Sequence, residues 1–70
     1  MNVRRPRLVW KYELTDEDGT EIGPLWIDTF GADPTKPVDT EDLGWTTREQ
    51  ARLIAERRGC DFVQDDGLGD

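Results

Sequence analysis

The chain has 70 residues, with 16 acidic and 9 basic side chains, a formal net charge of −7, and one cysteine. A chain of this length forms a single small domain, in which burial of apolar surface only just offsets the loss of conformational entropy. The composition excludes an internal disulfide, and no apolar run is long enough to span a membrane. We therefore expect a protein without a membrane segment in a reducing compartment, the cytoplasm.

The charges are distributed unevenly along the sequence. Residues 1–11 carry four positive charges and no negative one, whereas residues 12–47 carry ten acidic side chains against Lys36 alone. An acidic surface repels a phosphate backbone, so general nucleic-acid binding is unfavourable. The basic patch consists of Arg4, Arg5, Arg7 and Lys11. We expect it to be either a solvated tail or a contact for nucleic acid or for acidic residues of a partner.

The residue types that most often carry out catalysis are missing. The chain has no Ser and no His, which leaves Cys60 without an imidazole partner. Zinc sites are built mainly from Cys and His, and the acidic residues around Gly19 follow the calcium-loop pattern only in part. No glycine-rich phosphate loop opens a helix. We expect no enzymatic activity, no metal site and no cofactor, with Cys60 as a small buried hydrophobic residue.

Alternating apolar residues predict the first strand, which starts at Arg7 after a flexible basic arm at residues 1–6. An Asp-Glu-Asp-Gly turn at residues 16–19 follows, with Gly19 free to adopt positive φ. A second extended run continues to about Thr29, so residues 7–29 predict a β-hairpin. Pro24 has no N–H, and the second strand therefore lies at an edge, contains a bulge or is interrupted there.

The length of the hairpin loop decides which tryptophan is buried, and the sequence leaves two loops open. A two-residue loop puts Leu25 and Ile27 on the face of Trp10. A three-residue loop places Ile22 and Trp26 there instead, and we favour it because it gathers the large side chains into one cluster. In either case large apolar side chains remain on the face away from the helix, where they form an exposed patch.

Residues 31–44 predict a long loop, because they are rich in glycine, proline and acidic residues. Loops of this length in compact domains are often mobile or functional. Trp45 follows the loop directly. We expect Trp45 to pack across the first turn of the next helix as a hydrophobic staple, with a binding anchor as the alternative.

Residues 46–58 predict a helix with signals at both ends. Thr46 and Glu49 have the spacing of a capping box, and Gly59 stands where a left-handed C-terminal residue is favoured. An apolar stripe with helical spacing indicates that the helix lies on a larger surface. The stripe consists of Ala51, Ile54 and Ala55.

Residues 60–64 predict a short third strand with Phe62 in the core, and residues 65–70 predict a disordered acidic tail. The order of elements is strand, strand, loop, helix, strand. We therefore expect a two-layer α+β fold of ββαβ type, with one helix on one face of a three-stranded antiparallel or mixed sheet. Residues 7–64 form its single domain.

The sequence pattern of the hairpin and the helix, taken together, resembles two groups of proteins. The first resemblance is carried by Asp16, Gly19 and Gly23 in the hairpin and by Ala51, Ala55, Gly59, Asp61 and Val63 in the helix and last strand. This pattern resembles the amino-terminal domain of bacterial translation initiation factor 3. The likeness implies one helix packed on a hairpin, while the reversed charge gives no basis for ribosomal RNA binding.

The second resemblance covers about residues 7–64 and is carried by Trp45, Thr47, Arg48, Glu49 and Ala51. The pattern is similar to that of small orphan proteins of actinobacterial phages, which combine a Trp-bearing hairpin, a Pro/Gly loop and a Trp-x-Thr-Arg-Glu-x-Ala helix. It implies a phage source and the cytoplasm of a bacterial host, and it implies no reaction.

We hypothesise a non-catalytic interaction protein that binds a protein partner or itself. The alternatives are a ribosome- or nucleic-acid-associated module that uses the basic arm and, third, an acidic mimic of nucleic acid. The candidate interaction residues are Arg4, Arg5, Arg7, Lys11, Leu25, Trp26 and Ile27.

Overall fold

The computed structural model describes residues 4–65 and shows a small α+β domain with one helix and a mixed sheet. The elements are β1 (Arg7–Lys11), β2 (Leu14–Thr15), β3 (Glu21–Phe30), β4 (Pro37–Thr47), α1 (Arg48–Arg58) and β5 (Asp61–Asp65). The expected α+β class is confirmed. The expected three-stranded ββαβ arrangement is wrong in detail, because β4 adds a strand and a bulge divides the first strand into β1 and β2.

The longest strands form the centre and one edge of the sheet. β3 pairs along one side with β4 and along the other side with β1 and β2, all antiparallel. β5 lies beyond β1 and runs parallel to it. The helix α1 connects β4 at one edge to β5 at the opposite edge, and it crosses one face of the sheet on the way.

The hairpin between β2 and β3 has the three-residue loop that the sequence favours. The Asp16 amide donates to the Thr20 carbonyl at 2.9 Å, and the Asp16 carboxylate accepts bonds from the amides of Asp18 and Thr20. Gly19 has a φ of 82°, a conformation that glycine adopts without steric cost. The loop prediction is therefore confirmed.

The predicted placement of Ile22 and Trp26 on the face of Trp10 is wrong, because a β-bulge lies four residues beyond the loop. Leu14 pairs with Ile22, whereas Trp10 pairs with Leu25, so the first strand contains one extra residue between these pairs. The bulge exchanges the faces beyond it, and Leu25 comes to lie beside Trp10. Gly23 allows this close approach, since a Cβ atom there would stand 1.6 Å from the Lys11 carbonyl oxygen.

Pro24 lies at this bulge, which is one of the three positions that the sequence allowed. It is not on an edge strand, since β3 has partners on both sides. The missing N–H of Pro24 is tolerated because the bulge already interrupts the pairing with the first strand.

The predicted loop at residues 31–44 is wrong from Pro37 onward. Only residues 31–36 connect the strands, and β4 pairs with β3 from Pro37 to Thr47, with irregularities near each end. Within the turn, the Asp33 carboxylate accepts bonds from the amide and hydroxyl of Thr35, at 2.9 and 2.6 Å. The β conformation is imposed by the free edge of β3, an effect of tertiary pairing that outweighs the local preference of acidic residues and glycine.

The helix α1 ends as the sequence predicts but begins later. Thr47 is the N-cap, with its hydroxyl accepting a bond from the Gln50 amide, whereas the sequence indicated Thr46. Gly59 has a φ of 68° and its amide donates to the carbonyls of Ala55 and Glu56. Ala55 is buried as expected. This helix, the only one among residues 4–65, is too short and too polar to cross a membrane.

The core lies between α1 and the sheet, and its largest members are fully buried. The Trp10 indole reaches across the sheet and donates to the Thr46 carbonyl at 3.0 Å, so its one polar group is satisfied inside the core. Cys60 is buried, as the sequence indicated. The buried cluster consists of Leu8, Trp10, Leu25, Ile27, Ala51, Ala55 and Cys60, with Phe62 and Ile54 packed against it.

The two ends of the domain are more ordered than expected. The predicted flexible arm at residues 1–6 is wrong for residues 4–6, because the Pro6 carbonyl accepts a bond from the Asp61 amide and Arg4 and Arg5 make contacts of their own. Asp65, assigned to the disordered tail, is the last residue of β5. The predictions of a flexible arm at residues 1–3 and of a disordered tail at residues 66–70 lie outside the described part of the chain.

Candidate functional site

The sheet has one face covered by α1 and a second face without a helix, which we call the open face. Strand pairing assigns residues to it in rows that cross the sheet. The central row is Asp42, Trp26, Val9 and Val63. The row on one side is Thr40, Asp28, Arg7 and Asp61. On the other side, Trp45 pairs with Pro24 and Lys11 pairs with Asp65, with the bulge between these two pairs.

The central row is apolar from β3 to the β5 edge. Val9 is buried with 6 % of its surface exposed, Trp26 is half-buried, and Val63 is 38 % exposed. An open depression of about 450 Å³ lies over this row and is flanked by Arg7 and Asp28. The row therefore presents a hydrophobic strip to solvent, with charged residues along its sides.

Trp45 is also exposed on the open face, with 56 % of its surface accessible. The prediction that Trp45 staples the helix is wrong. Trp45 belongs to β4 and pairs with Pro24, so strand pairing and not the helix start determines its direction. Of the two interpretations that the sequence allowed, its exposure favours the binding anchor.

A buried ion pair fixes the neighbouring row. The Asp28 carboxylate, 5 % exposed, accepts a bond from the Arg7 guanidinium at 2.7 Å and from the Thr40 hydroxyl at 2.8 Å. The guanidiniums of Arg4 and Arg7 lie over the Phe30 ring at 4.4 and 5.2 Å, an arrangement that cation–π attraction stabilises. These contacts join the N-terminal segment to β3 and β4 at this end of the open face.

All four residues of the predicted basic patch have partners within the domain. Arg4 donates to the Pro34 carbonyl at 2.6 Å, and Arg5 donates to the Gly59 carbonyl and lies 3.7 Å from Asp61. Arg7 is paired with Asp28, and Lys11 lies 3.5 Å from Glu13. The patch is therefore spread over both ends of the first strand, with three of its charges paired to carboxylates and Arg4 held by the Pro34 carbonyl and the Phe30 ring.

The remaining candidate residues divide between the two faces. Leu25 and Ile27 are buried beneath α1, with 1 % and 6 % exposure, so their predicted availability to a partner is wrong. The bulge opposite Gly23 is the cause. Trp26 lies on the open face, where the two-residue hairpin loop would have placed it. Sequence reasoning missed Val63, because a parallel strand partner leaves no local signal.

Other chemistry-bearing groups lie apart from the open face. Asp39 and Glu41 alternate with the open-face residues of β4 and point to the helix side, whereas Asp42 does not, so these acids are not aligned on one face. Hydrogen bonds from the Thr35 hydroxyl and amide hold the pKa of the Asp33 carboxyl below its ordinary value. Within residues 4–65, no three potential ligands converge as in a metal site.

Comparison with protein-family models, with curated proteins and with solved structures found no match. Function is therefore argued from the geometry of the domain. The feature that requires an explanation is the open face, where Trp45 and Val63 are exposed and Trp26 is half-buried.

Proposed function

We propose that this protein is a small non-catalytic interaction protein whose open face binds the surface of another protein molecule. The supporting observation is the exposure of Trp45 and Val63 beside the half-buried Trp26, on the one face of the sheet that α1 does not cover. A sheet with apolar residues on both faces is normally covered on both, which indicates that a second layer comes from outside this domain.

The composition of the open face is that of an interface. Tryptophan and arginine are the residues that most often dominate binding energy, and the face places Trp26, Trp45 and Arg7 around an apolar centre. Charged residues form the rim, among them Lys11 and Asp42, as in typical protein interfaces. Because Arg7 is fixed by Asp28, binding costs little side-chain entropy at this position.

The same observations favour a protein over a nucleic acid. Binding to a phosphate backbone needs several unpaired basic side chains. Arg5 and Arg7 are paired with carboxylates, Arg4 is held between the Pro34 carbonyl and the Phe30 ring, and the chain is acidic overall. We place the protein in the cytoplasm of a bacterial host, as a phage product, on the resemblance described above.

A site-specific crosslinking experiment tests this function. A photoreactive amino acid is introduced in place of Val63 on the open face or, as the control, in place of Leu53 on the exposed side of α1. The two side chains have similar exposure, 38 % and 45 %. Irradiation in living cells should give a discrete protein adduct from position 63 and at least about tenfold less from position 53. Equal adducts from both positions, or none from position 63, would contradict the proposal.

A further inference from the structure

We infer that the free edge of β4 binds an extended, basic segment of another protein, which adds to the sheet as a further strand. This inference goes beyond the proposed function, because it concerns one edge of the sheet and not the open face. Among residues 4–65, no strand lies beyond β4. A free edge carries backbone N–H and C=O groups that pair with an added strand.

The edge of β4 is regular between two irregularities. The pairing with β3 shifts at Val38 and at Leu43, and the four residues between these positions pair without interruption. All six residues from Pro37 to Asp42 are exposed. The segment Asp39–Asp42 therefore offers an accessible, regular edge about 14 Å long.

The hydrogen bonds of the neighbouring strands determine which backbone groups of β4 face outward. The Tyr12 amide bonds to β5, so the even-numbered residues along β1 face β5 and the odd-numbered ones face β3. Backbone groups alternate in direction along each strand. Carried across β3, this alternation turns the backbone of Asp39 and Glu41 toward β3. The N–H and C=O groups of Thr40 and Asp42 therefore point away from the sheet, toward an added strand.

The side chains of this segment favour a basic partner. Asp39 and Glu41 lie on the helix side and Asp42 lies on the open face, so an added strand meets carboxylates on both of its faces. Lysine or arginine at the opposing positions forms cross-strand ion pairs. Trp45 projects from the same face as Asp42, about 7 Å further along the sheet. Its ring is 56 % exposed and attracts a cationic side chain by cation–π interaction.

The contacts of these carboxylates within the domain leave them available to a partner. Glu41 lies 3.9 Å from Arg58, and both side chains are more than half exposed. An ion pair of this kind contributes little to stability and is easily exchanged. Asp42 accepts one bond, from the Gly44 amide to Oδ1, and its second oxygen faces solvent on the exposed edge.

The same charges oppose a second copy of this chain at the edge. Antiparallel pairing of two β4 edges would set the acidic residues of one copy against those of the other. An edge that repels its own copies and attracts basic strands is specific for a basic partner. The net charge of −7 also favours the approach of such a partner.

Titration of the isotope-labelled, full-length chain with the peptide Lys-Thr-Lys-Thr-Lys-Thr tests the inference by NMR. We expect a Kd of about 0.1–1 mM at low ionic strength, because a short flexible peptide loses conformational entropy on binding. At about 10 mM peptide, hydrogen exchange of the Thr40 and Asp42 amides should slow at least about tenfold. The amides of Asp39 and Glu41, which already face β3, should change less than about twofold. Unchanged exchange at Thr40 and Asp42, or equal slowing at all four positions, would overturn strand addition.

Two control peptides separate strand addition from simple charge attraction. Lys-Pro-Lys-Pro-Lys-Pro has the same length and charge but lacks an N–H at every second residue, so it should bind at least about tenfold more weakly. Glu-Thr-Glu-Thr-Glu-Thr should not bind up to about 10 mM. A Lys-Pro peptide that binds as tightly as the Lys-Thr peptide would show that charge alone is responsible, and would overturn the inference.

Charge-reversed variants locate the site on β4. Asp39→Lys combined with Glu41→Lys should weaken binding of the Lys-Thr peptide at least about tenfold and allow the Glu-Thr peptide to bind. Glu17→Lys combined with Asp18→Lys is the matched control, since it changes the net charge equally in the exposed hairpin loop. It should weaken binding less than about threefold. Equal losses in the two double variants would overturn the edge as the site. Far-UV circular dichroism confirms that each variant is folded.

A neutral substitution on the open face separates this inference from the proposed function. Val63→Gln should leave the Kd of the Lys-Thr peptide within about twofold of wild type. Loss of peptide binding in this variant would place the peptide on the open face and would overturn the edge as its site. Crosslinking at position 63 does not depend on the peptide, so failure of the peptide to bind overturns only the present inference.

Discussion

The two faces of this sheet are built from the same strands and differ in almost every other respect. Beneath α1, the side chains of Leu8, Trp10 and Leu25 have at most 1 % of their surface exposed. On the open face, a carboxylate and a guanidinium are paired, and Trp45 and Val63 face solvent. The covered face specifies the fold, because its side chains are excluded from water, whereas the open face is held by directional polar contacts and remains accessible.

The contrast teaches how a 70-residue chain can carry a large exposed aromatic surface and still fold. One helix of 11 residues is about 16 Å long and covers a single face. The other face is stabilised by directional contacts instead, through Asp28 to Arg7 and Thr40, and through Phe30 beneath Arg4. These contacts hold the strands in place without removing the tryptophans from solvent.

Deletion of an equivalent apolar side chain from each face gives the largest expected difference. Leu25→Ala should lower the free energy of unfolding by about 3 kcal/mol, because it leaves a cavity beneath α1. Val63→Ala, on the open face, should cost less than about 1 kcal/mol. Denaturant unfolding of dilute protein measures both values. Equal costs would show that the open face is part of the core.

The second-largest loss of unfolding free energy is expected when the ion pair of the open face is removed. Asp28→Ala removes the acceptor of both Arg7 and Thr40, so we expect a loss of about 2 kcal/mol in unfolding free energy. Asp39→Ala, which removes an exposed carboxylate on the neighbouring edge strand β4, should change stability by less than about 0.5 kcal/mol. If both variants are equally stable, directional contacts do not hold this face.

Substitutions at the start of the helix, on the covered face, should change the stability by a smaller amount. Thr47→Ala removes the acceptor for the Gln50 amide and should cost about 1 kcal/mol. Thr46→Ala alters only the residue that the sequence indicated as the cap, and should cost less than about 0.5 kcal/mol. Thermal unfolding of the two variants in parallel distinguishes them. A larger effect of Thr46→Ala would move the helix start back by one residue.

The smallest expected effect is at the turn between β3 and β4. Bonds from Thr35 lower the pKa of Asp33 in the folded chain, so they stabilise the fold above the ordinary aspartate pKa. That contribution disappears as the pH falls through the lowered pKa. Thr35→Val should raise the Asp33 pKa toward its ordinary value, and Thr35→Ser should retain the lowered pKa. An NMR titration of the Asp33 carboxyl carbon measures the shift, and an unchanged pKa in Thr35→Val would contradict the assignment.

The features that the sequence predicts correctly depend on local signals. The three-residue loop ending at Gly19, the end of the helix at Gly59 and the buried stripe of α1 each follow from residues close together in the chain. Cys60 is buried for the same reason, since it directly follows the helix end. In these segments, local preference and the final fold agree.

The features that the sequence misses depend on distant partners. β4 contains glycine, proline and acidic residues and is a strand because β3 offers it a free edge. Gly23 and Pro24 together were the available signal for the bulge, which moves Leu25 to the covered face and leaves Trp26 on the open one. The sequence predicts a flexible arm at Arg4 because the residues it contacts, Pro34 and Phe30, lie about thirty residues away and leave no local signal.

The three tryptophan indoles provide the most direct test of the claim that the open face is the binding surface. Their N–H signals can be followed by two-dimensional NMR as the protein captured by crosslinking at position 63 is added to the isotope-labelled chain. We predict that the signals of Trp26 and Trp45 shift during this titration, whereas that of Trp10, bonded to the Thr46 carbonyl in the core, stays fixed. Signals of Trp26 and Trp45 that remain as constant as that of Trp10 would contradict binding through this face.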